Sequence, residues 1–250
     1  MTLPPAYTLL RAGTVQAAVR CDLADTLAAW LLAPELCAPG DAEPIAGGRG
    51  AAWRLCLPGG ARAVLRRYRR GGFFARWVTE TYVDRPLRPL RELAVTVEAR
   101  ARGAAVPEVL AARVEGRVLY RGAILTAEIP GATPVLDALA ATPDAEARRA
   151  LARRAGEAVA SLHVAGVVHA DLNCGNILLA PGATAGATVI DLDRASLRRG
   201  PLGRWRRRRA LRRLHRSLAK LDPGGARAGS DAVAAFRDGY AARAGGPCAC

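Results

Sequence analysis

The sequence has very little lysine, few aromatic side chains and no long apolar segment. Lys220 is the only lysine among 37 basic residues, and aromatic residues make up 5% of the 250 positions. No apolar stretch approaches the roughly 18 residues that a membrane-spanning helix needs. The N-terminal residues 1–5 also lack the basic residue and apolar block of a secretory signal. The sequence therefore predicts a protein that stays in the cytoplasm.

The six cysteines form no metal-binding pattern. The chain has no C-x-x-C pair, and no histidine stands near a cysteine at a spacing typical of shared metal ligands. Reduced thiols are the ordinary state of cysteines in the cytosol. The sequence therefore predicts neither a zinc site nor a disulfide framework.

The charge of the chain points to an anionic partner. The formal net charge is +15, while 51% of the residues are hydrophobic, as expected for a folded globular protein. Such an excess of positive charge is typical of proteins that bind nucleic acid, phosphorylated lipids or an anionic membrane surface.

The segment from His169 to Asn176 is the most informative motif. Asp171 and Asn176 are five residues apart, the spacing of kinase catalytic loops. Asp191 follows after two short apolar runs joined by a Pro/Gly-rich turn, and this hairpin would bring it close to Asn176. Phosphoryl transfer from ATP needs an aspartate that orients the attacking hydroxyl, and an asparagine and a second aspartate that hold Mg²⁺. The motif therefore predicts Asp171 as the catalytic residue and Asn176 and Asp191 as metal ligands.

Three nearby residues have less definite roles. Asp193 replaces the glycine of the usual D-F-G motif, and it either lies behind the metal ligands or caps the next turn. We expect His169 to bond the backbone near the metal-binding strand, and His163 to pack inside the protein.

A second group of residues is predicted to contact ATP. Gly48 and Gly50 precede a strand, where glycine amides can approach phosphates, although a plain hairpin turn explains them equally well. Arg66 stands where kinases carry the phosphate-binding lysine of the third strand, and Glu92 is its expected carboxylate partner. Arginine is not a simple replacement for lysine, which leaves a non-catalytic pseudokinase open.

The distribution of apolar residues predicts an α+β fold with two lobes, of the protein-kinase-like type. Residues 1–44 are expected to form an irregular lead-in with one helix over 22–32. Residues 45–129 would form a small β-rich N-lobe with nucleotide-binding strands and a helix over 85–102. Residues 130–250 would form a larger helical C-lobe with helices over 144–165, 204–220 and 230–243.

These motifs, taken in order, resemble bacterial Kdo (3-deoxy-D-manno-octulosonic acid) kinases, which are lipopolysaccharide kinases of the protein-kinase-like superfamily. The resemblance covers roughly residues 45–222. It is carried by the segments 66–72 (Arg-Arg-Tyr-Arg-Arg-Gly-Gly), 103–107, 126–131, 169–179, 190–194 and 204–221. The family also has arginine at the position of Arg66, which favours a competent enzyme. Leu192 in place of the usual phenylalanine, and Cys174-Gly175 before Asn176, depart from the pattern.

The resemblance implies ATP- and Mg²⁺-dependent phosphorylation of a Kdo sugar on a lipid A precursor. It places the enzyme peripherally at the cytoplasmic face of the inner membrane, and no nucleic acid partner is expected. Residues 204–220 would form a basic amphipathic helix lying on the anionic membrane surface, with Leu211, Leu214 and Leu218 between its arginines. Arg66, Arg67, Arg69 and Arg70, followed by Phe73, Phe74 and Trp77, would make a second contact.

Other interpretations of the sequence remain open. The helix over 204–220 could instead pack its apolar side on the protein core. The chain could be a small-molecule or protein kinase of the same superfamily, or a pseudokinase that binds anionic lipid or RNA. Aminoglycoside-type kinases need an acidic acceptor pocket, whereas this chain is basic, and the short segment after Arg194 leaves little room for a peptide-docking platform.

Overall fold

The computed structural model describes residues 3–36, 42–45, 52–68, 87–116, 120–182 and 186–245. The chain divides into two compact units, which are described separately below. The first consists of Met1–Glu98 and Glu108–Glu128, and the second of Ala99–Pro107 and Ile129–Cys250. Within the described ranges, no helix is both long enough and apolar enough to span a membrane.

A seven-stranded antiparallel sheet forms the centre of the first unit. The strands are β1 (Tyr7–Ala12), β2 (Val15–Arg20), β3 (Glu43–Pro44), β4 (Ala52–Cys56), β5 (Arg62–Arg67), β6 (Val109–Glu115) and β7 (Arg121–Ala127). Their spatial order in the sheet is β1-β2-β6-β7-β5-β4-β3.

Each face of this sheet packs against one helix, because successive side chains of a strand point to opposite faces. Ala111 and Leu125 belong to a core that also contains residues of α1 (Ala24–Leu32), including the buried Leu27 and Leu31. Ala112 and Ile124 belong to a second core, which contains residues of α2 (Arg88–Ala101). The helix predicted over 85–102 is therefore present, with slightly narrower bounds.

The described part of residues 1–44 is not an irregular lead-in, although the helix predicted over 22–32 is present as α1 (Ala24–Leu32). Strands β1 and β2 form a hairpin around Gly13, whose φ of 56° favours glycine, and β2 also pairs with β6. Buried Val15, Ala17 and Val19 alternate with neighbours that face the other side of the sheet. The buried side chains of β2 are small, and Ala18 on the other face is buried as well. The sequence of β2 therefore does not show the alternation of hydrophobic and polar residues that is typical of a strand.

The second unit is mainly helical. Its helices are α3 (Val135–Ala140), α4 (Ala145–Val164), α5 (Arg204–Leu221) and α6 (Gly229–Ala244). Its short strands are β8 (Thr133–Pro134), β9 (Val167–Val168), β10 (Ile177–Leu179), β11 (Ala187–Val189) and β12 (Ser196–Leu197). Strand β10 pairs with β11 and β8, while β9 pairs with β12. Asp144 caps the long helix α4, since its carboxylate accepts the backbone N–H of Ala147 at 2.7 Å.

Helices α4 and α6 cross at very close range because each presents a glycine at the contact. A Cβ atom at Gly156 would stand 2.1 Å from the carbonyl oxygen of Phe236, and one at Gly239 would stand 2.1 Å from that of Arg153. Beside this contact, the buried His163 Nδ1 lies 2.7 Å from the Tyr240 hydroxyl. The prediction that His163 packs inside the protein is confirmed.

Burial of His163 predicts a loss of stability in acid. Burial lowers the pKa of His163 from 6.5 to about 3, so the unfolded chain takes up this proton at a higher pH than the folded chain. The stabilising effect of the neutral ring is complete above pH 6.5 and is lost as the pH falls towards 3. Each pH unit in this window should cost about 1.4 kcal/mol of unfolding free energy.

Denaturant unfolding of the wild type and His163→Gln at several pH values checks this expectation. Glutamine can still hydrogen-bond the Tyr240 hydroxyl but does not titrate. The variant should therefore show the shallower decline below pH 6.5. Equal slopes for the two proteins would contradict the assignment.

Candidate active site

The predicted catalytic segment forms a loop between two pairs of short strands in the second unit. It follows β9, contains a 3₁₀ turn over Cys174–Asn176 and leads directly into β10. Asp171 is exposed, as a residue that meets a substrate must be. Asn173 Nδ2 donates to the Asp171 carboxylate Oδ2 at 3.3 Å and to the Asp171 carbonyl at 3.0 Å. The carboxylate is thus held at the surface by a neighbour in its own loop.

His169 connects the loop to the strand that carries Asp191. Its Nδ1 accepts the backbone N–H of Asp171 at 3.1 Å, so the ring proton is on Nε2, which donates to the carbonyl of Ile190 at 3.1 Å. Burial lowers the pKa of His169, which keeps the ring neutral and preserves this pattern at neutral pH. The predicted structural role of His169 is confirmed.

The hairpin of β10 and β11 brings Asn176 beside Asp191. Ile177 pairs with Val189, and the N–H of Ile190 donates to the carbonyl of Asn176 at 2.9 Å. Asn176 Nδ2 donates to the Asp171 carbonyl at 2.9 Å, which leaves its side-chain oxygen as the end that can meet a cation. Asp191 has a φ of 63°, a conformation that aspartate and asparagine tolerate better than most residues.

The side-chain oxygen atoms of Asn176 and Asp191 are suitable ligands for magnesium. An amide oxygen and a carboxylate lie at the same end of one hairpin, with the Asp171 loop adjoining, and Mg²⁺ prefers oxygen ligands and retains several waters. Asp193 lies in a turn that follows Asp191. A hydrogen bond of 2.9 Å from the N–H of Ala195 to the carbonyl of Leu192 closes this turn. The assignment of Asn176 and Asp191 as ligands remains a prediction.

Helix α5 supports the catalytic loop, a contact that no local pattern in the sequence indicates. The guanidinium of Arg213 donates through Nη1 to the carbonyls of His169, at 3.3 Å, and of Ala170. One turn later, Ser217 Oγ accepts the backbone N–H of Cys174 at 3.2 Å. Burial raises the pKa of the Cys174 thiol, which suits a packing role rather than a reactive one.

Arg66 and Glu92 form the predicted ion pair in the first unit. Arg66 Nη2 lies 2.7 Å from both carboxylate oxygens of Glu92, whose side chain is 5% exposed. The Tyr68 hydroxyl also donates to this carboxylate, and the Arg66 guanidinium lies over the Tyr68 ring at 4.8 Å. The guanidinium is therefore fixed in direction. Gly48 and Gly50, together with Arg69, Arg70, Phe73, Phe74 and Trp77, lie outside the described residues.

The apolar side of α5 packs on the protein. Leu211 and Leu214 are 2% and 8% exposed, so they do not face a membrane as the basic amphipathic helix predicted from the sequence would require. The reason is that helical periodicity identifies an apolar stripe but does not indicate whether protein or lipid covers it.

Comparison with known proteins identifies the family. The model of the lipopolysaccharide kinase (Kdo/WaaP) family matches residues 45–240. The chain belongs to this family. It is 39% identical over 185 residues to the 3-deoxy-D-manno-octulosonic acid kinase of Xanthomonas euvesicatoria pv. vesicatoria, covering 72% of this chain and 71% of the relative. It is 38% identical, with the same coverage, to the enzyme of that name from Xylella fastidiosa.

A solved structure supports the fold. WaaP in complex with acyl carrier protein matches with a TM-score of 0.51 at 20% identity, over 80% of this chain and 78% of that one. The predicted α+β protein-kinase-like fold, with a β-rich and a helical part, is therefore confirmed. The predicted enzyme class is confirmed as well, since family membership makes the chain a lipopolysaccharide kinase and hence a phosphotransferase.

Proposed function

We propose that the chain is an ATP- and Mg²⁺-dependent kinase that phosphorylates a Kdo sugar on a lipid A precursor. The acceptor lies in the anionic inner membrane, and the enzyme works peripherally at its cytoplasmic face. The single observation that carries this proposal is the catalytic loop, in which Asp171, Asn176 and Asp191 are joined by His169 and the β10–β11 hairpin. The curated relatives named Kdo kinases support the choice of acceptor.

Asp171 acts on the acceptor in this mechanism. Its exposed carboxylate accepts a hydrogen bond from the attacking sugar hydroxyl and orients the oxygen towards the γ-phosphorus. It takes up the proton as the new P–O bond forms and the bond from the γ-phosphorus to the bridging oxygen breaks, which releases ADP. Asn173 bonds one oxygen of the carboxylate and thereby restricts its rotation. Proximity and orientation contribute much of the rate enhancement in phosphoryl transfer, because the protein forms no covalent bond to the phosphate.

Asn176 and Asp191 would hold a magnesium ion in this proposal, and the positive charge of that ion would offset the charge of the phosphates. His169 bonds the backbone on both sides of this pair, to Asp171 and to Ile190, and so fixes the spacing of the catalytic and metal-binding residues. Charged groups that the backbone holds in place before the reaction do not have to reorganise during it, and such preorganisation lowers the barrier to phosphoryl transfer.

Arg66 provides the positive charge that other kinases obtain from lysine. The buried Glu92 carboxylate and the Tyr68 ring determine the direction of its planar guanidinium, a group whose geometry suits phosphate oxygens. Glu92 acts through Arg66 and is a positioning residue.

Arg66→Lys should raise the KM for ATP about tenfold, because lysine keeps the charge but its single ammonium nitrogen cannot bond both Glu92 carboxylate oxygens while also contacting a phosphate. Steady-state kinetics with ATP as the varied substrate measures this effect. Arg67→Lys is the matched control, since the Arg67 guanidinium lies over Trp53 at 5.2 Å and bonds the Leu36 carbonyl. An unchanged KM in Arg66→Lys would remove Arg66 from the nucleotide site.

Arg213→Ala should lower kcat about ten- to a hundredfold with little change in the KM for ATP. The substitution frees the carbonyls of His169 and Ala170, and displacement of a catalytic group by about 1 Å can cost this much. Arg213→Lys should recover part of the loss, because an ammonium group can still donate to a carbonyl. A lowered melting temperature with unchanged kcat would show that Arg213 only stabilises the fold.

Initial rates of ATP-dependent phosphorylation on different acceptors test the proposed function. A Kdo-bearing lipid A precursor should be phosphorylated, whereas the same precursor without Kdo, an aminoglycoside and a basic protein should not be. Transfer to one of the other acceptors, and none to the Kdo-bearing lipid, would overturn the proposal.

A further inference from the structure

One face of α5 carries mostly cations and one exposed tryptophan. Because an α-helix turns about 100° per residue, residues at spacings of four, seven and eleven share a face. Trp205 is followed on its own face by Arg209, Arg212 and Arg216 at these spacings, and Arg208 and Lys220 flank them. The cationic face of α5 is defined here as Trp205, Arg208, Arg209, Arg212, Arg216 and Lys220, all of which are exposed.

The charge of this face is not compensated. The helix contains no acidic residue, and in the described part of the chain none of the five basic side chains forms an ion pair with a carboxylate. Two other arginines of the helix are engaged by backbone carbonyls: Arg207 bonds those of Leu202 and Ala244, and Arg213 bonds those of the catalytic loop. The cationic face is thus free to meet an external anion.

Trp205 distinguishes this face from an ordinary solvated surface. Its exposure is 66%, while Leu211 and Leu214, on the opposite side of the helix, are buried. The guanidiniums of Arg206 and Arg209 lie 6.0 and 5.6 Å from its ring centre. An exposed indole among arginines suits the headgroup region of a bilayer, where tryptophan is enriched and arginine meets lipid phosphates.

The position of the catalytic loop agrees with a membrane partner. Arg213 contacts the carbonyls of His169 and Ala170 from the side of the same helix, eight residues or about 12 Å along the axis from Trp205. Asp171 is the next residue after Ala170. A bilayer in contact with the cationic face would therefore lie close to the catalytic loop. The headgroup of a glycolipid in that bilayer could then reach Asp171.

We infer that the cationic face of α5 docks on an anionic phospholipid bilayer, with Trp205 at the level of the headgroups. This inference rests on the proposed function for its biological purpose and specifies how the enzyme meets the membrane. The contact is electrostatic with one aromatic anchor, because the apolar side of the helix is occupied by the protein core.

Vesicle binding of the full chain tests the inference. The vesicles contain equal parts of phosphatidylethanolamine and phosphatidylglycerol, or phosphatidylcholine alone, and no Kdo lipid. The wild type should bind the anionic vesicles and lose binding in high salt. Replacing Arg208, Arg209, Arg212 and Arg216 by glutamine should weaken partitioning about a hundredfold or more. Bound wild type should also show fluorescence quenching by brominated lipid that Trp205→Phe loses.

A charge-matched variant controls for the loss of four positive charges. It replaces four exposed arginines outside α5 by glutamine: Arg11, Arg121, Arg237 and Arg243. This control should bind vesicles almost as well as the wild type. Equal weakening of both variants would show a diffuse charge effect and overturn the inference. If α5 binds an acidic protein instead, the α5 variant would bind vesicles like the wild type but lose binding to purified acyl carrier protein.

The docking surface and the proposed reaction can fail independently. Because the vesicles contain no acceptor, binding can be measured whether or not the chain phosphorylates Kdo. Phosphorylation by the wild type of a detergent-solubilised acceptor tests the reaction without a bilayer. Should the α5 variant fold poorly, the Trp205 quenching and salt dependence of the wild type decide the question, since absence of both would overturn the inference.

Discussion

Asp171→Asn is expected to lower kcat for phosphoryl transfer by about a thousandfold, while the dissociation constant for ATP changes little. Asparagine keeps the shape of the side chain but cannot accept the proton of the acceptor hydroxyl. General-base catalysis and orientation of this kind contribute about a hundred- to ten-thousandfold. Single-turnover transfer and equilibrium nucleotide binding, measured on the same preparation, separate the two effects.

The control for this variant is Asp231→Asn, which removes an exposed carboxylate at the start of α6. It should retain full activity. Because Asp171 is exposed, its substitution should leave the melting temperature nearly unchanged, so a loss of activity would not reflect unfolding. An Asp171→Asn enzyme with wild-type kcat would show that another group accepts the proton.

Asp191→Asn is expected to reduce activity about a hundred- to thousandfold and to raise the Mg²⁺ concentration required for half-maximal rate. Loss of the carboxylate charge weakens the metal site, and a bound metal supplies several kcal/mol of transition-state stabilisation. Asparagine is the appropriate substitution because it tolerates the φ of 63° at this position, so the backbone and its bond from Ile190 to Asn176 should persist.

Titration of the rate with Mg²⁺ measures this effect, with circular dichroism as a check on folding. Asn176→Ala should shift the Mg²⁺ dependence in the same direction by a smaller amount, because it removes a neutral ligand. A rate and Mg²⁺ dependence in Asp191→Asn equal to those of the wild type would exclude Asp191 as a metal ligand.

The local order of the site could be predicted because its chemistry fixes the spacing of residues. The five-residue interval from Asp171 to Asn176 and the hairpin that leads to Asp191 lie within one short stretch of chain. The bonding of His169 to the backbone near the metal-binding strand was predicted for the same reason, and its bond to the carbonyl of Ile190 is present. The pair of Arg66 and Glu92 could be predicted because few carboxylates stand at a suitable place in the following helix.

The remaining contacts depend on tertiary packing that the sequence does not display. Arg213 is one of eight arginines in α5, and no local pattern indicates that it bonds the catalytic loop. Strands β1 and β2 were missed because small buried residues such as Ala17 and Ala18 weaken the alternation of hydrophobic and polar positions. The sequence left open whether the membrane or the protein core covers the leucines of α5, because a helical apolar stripe has the same appearance in both cases.

Locating the transferred phosphate tests the central claim most directly. The wild-type chain would be incubated with ATP, Mg²⁺ and a Kdo-bearing lipid A precursor, and the product cleaved at the Kdo linkage and analysed by mass spectrometry. The proposed reaction predicts one added phosphate on the Kdo fragment, no added phosphate on the lipid A fragment and an initial rate about a thousandfold lower with Asp171→Asn. An added phosphate on the lipid A fragment, or transfer by Asp171→Asn at the wild-type rate, would contradict it.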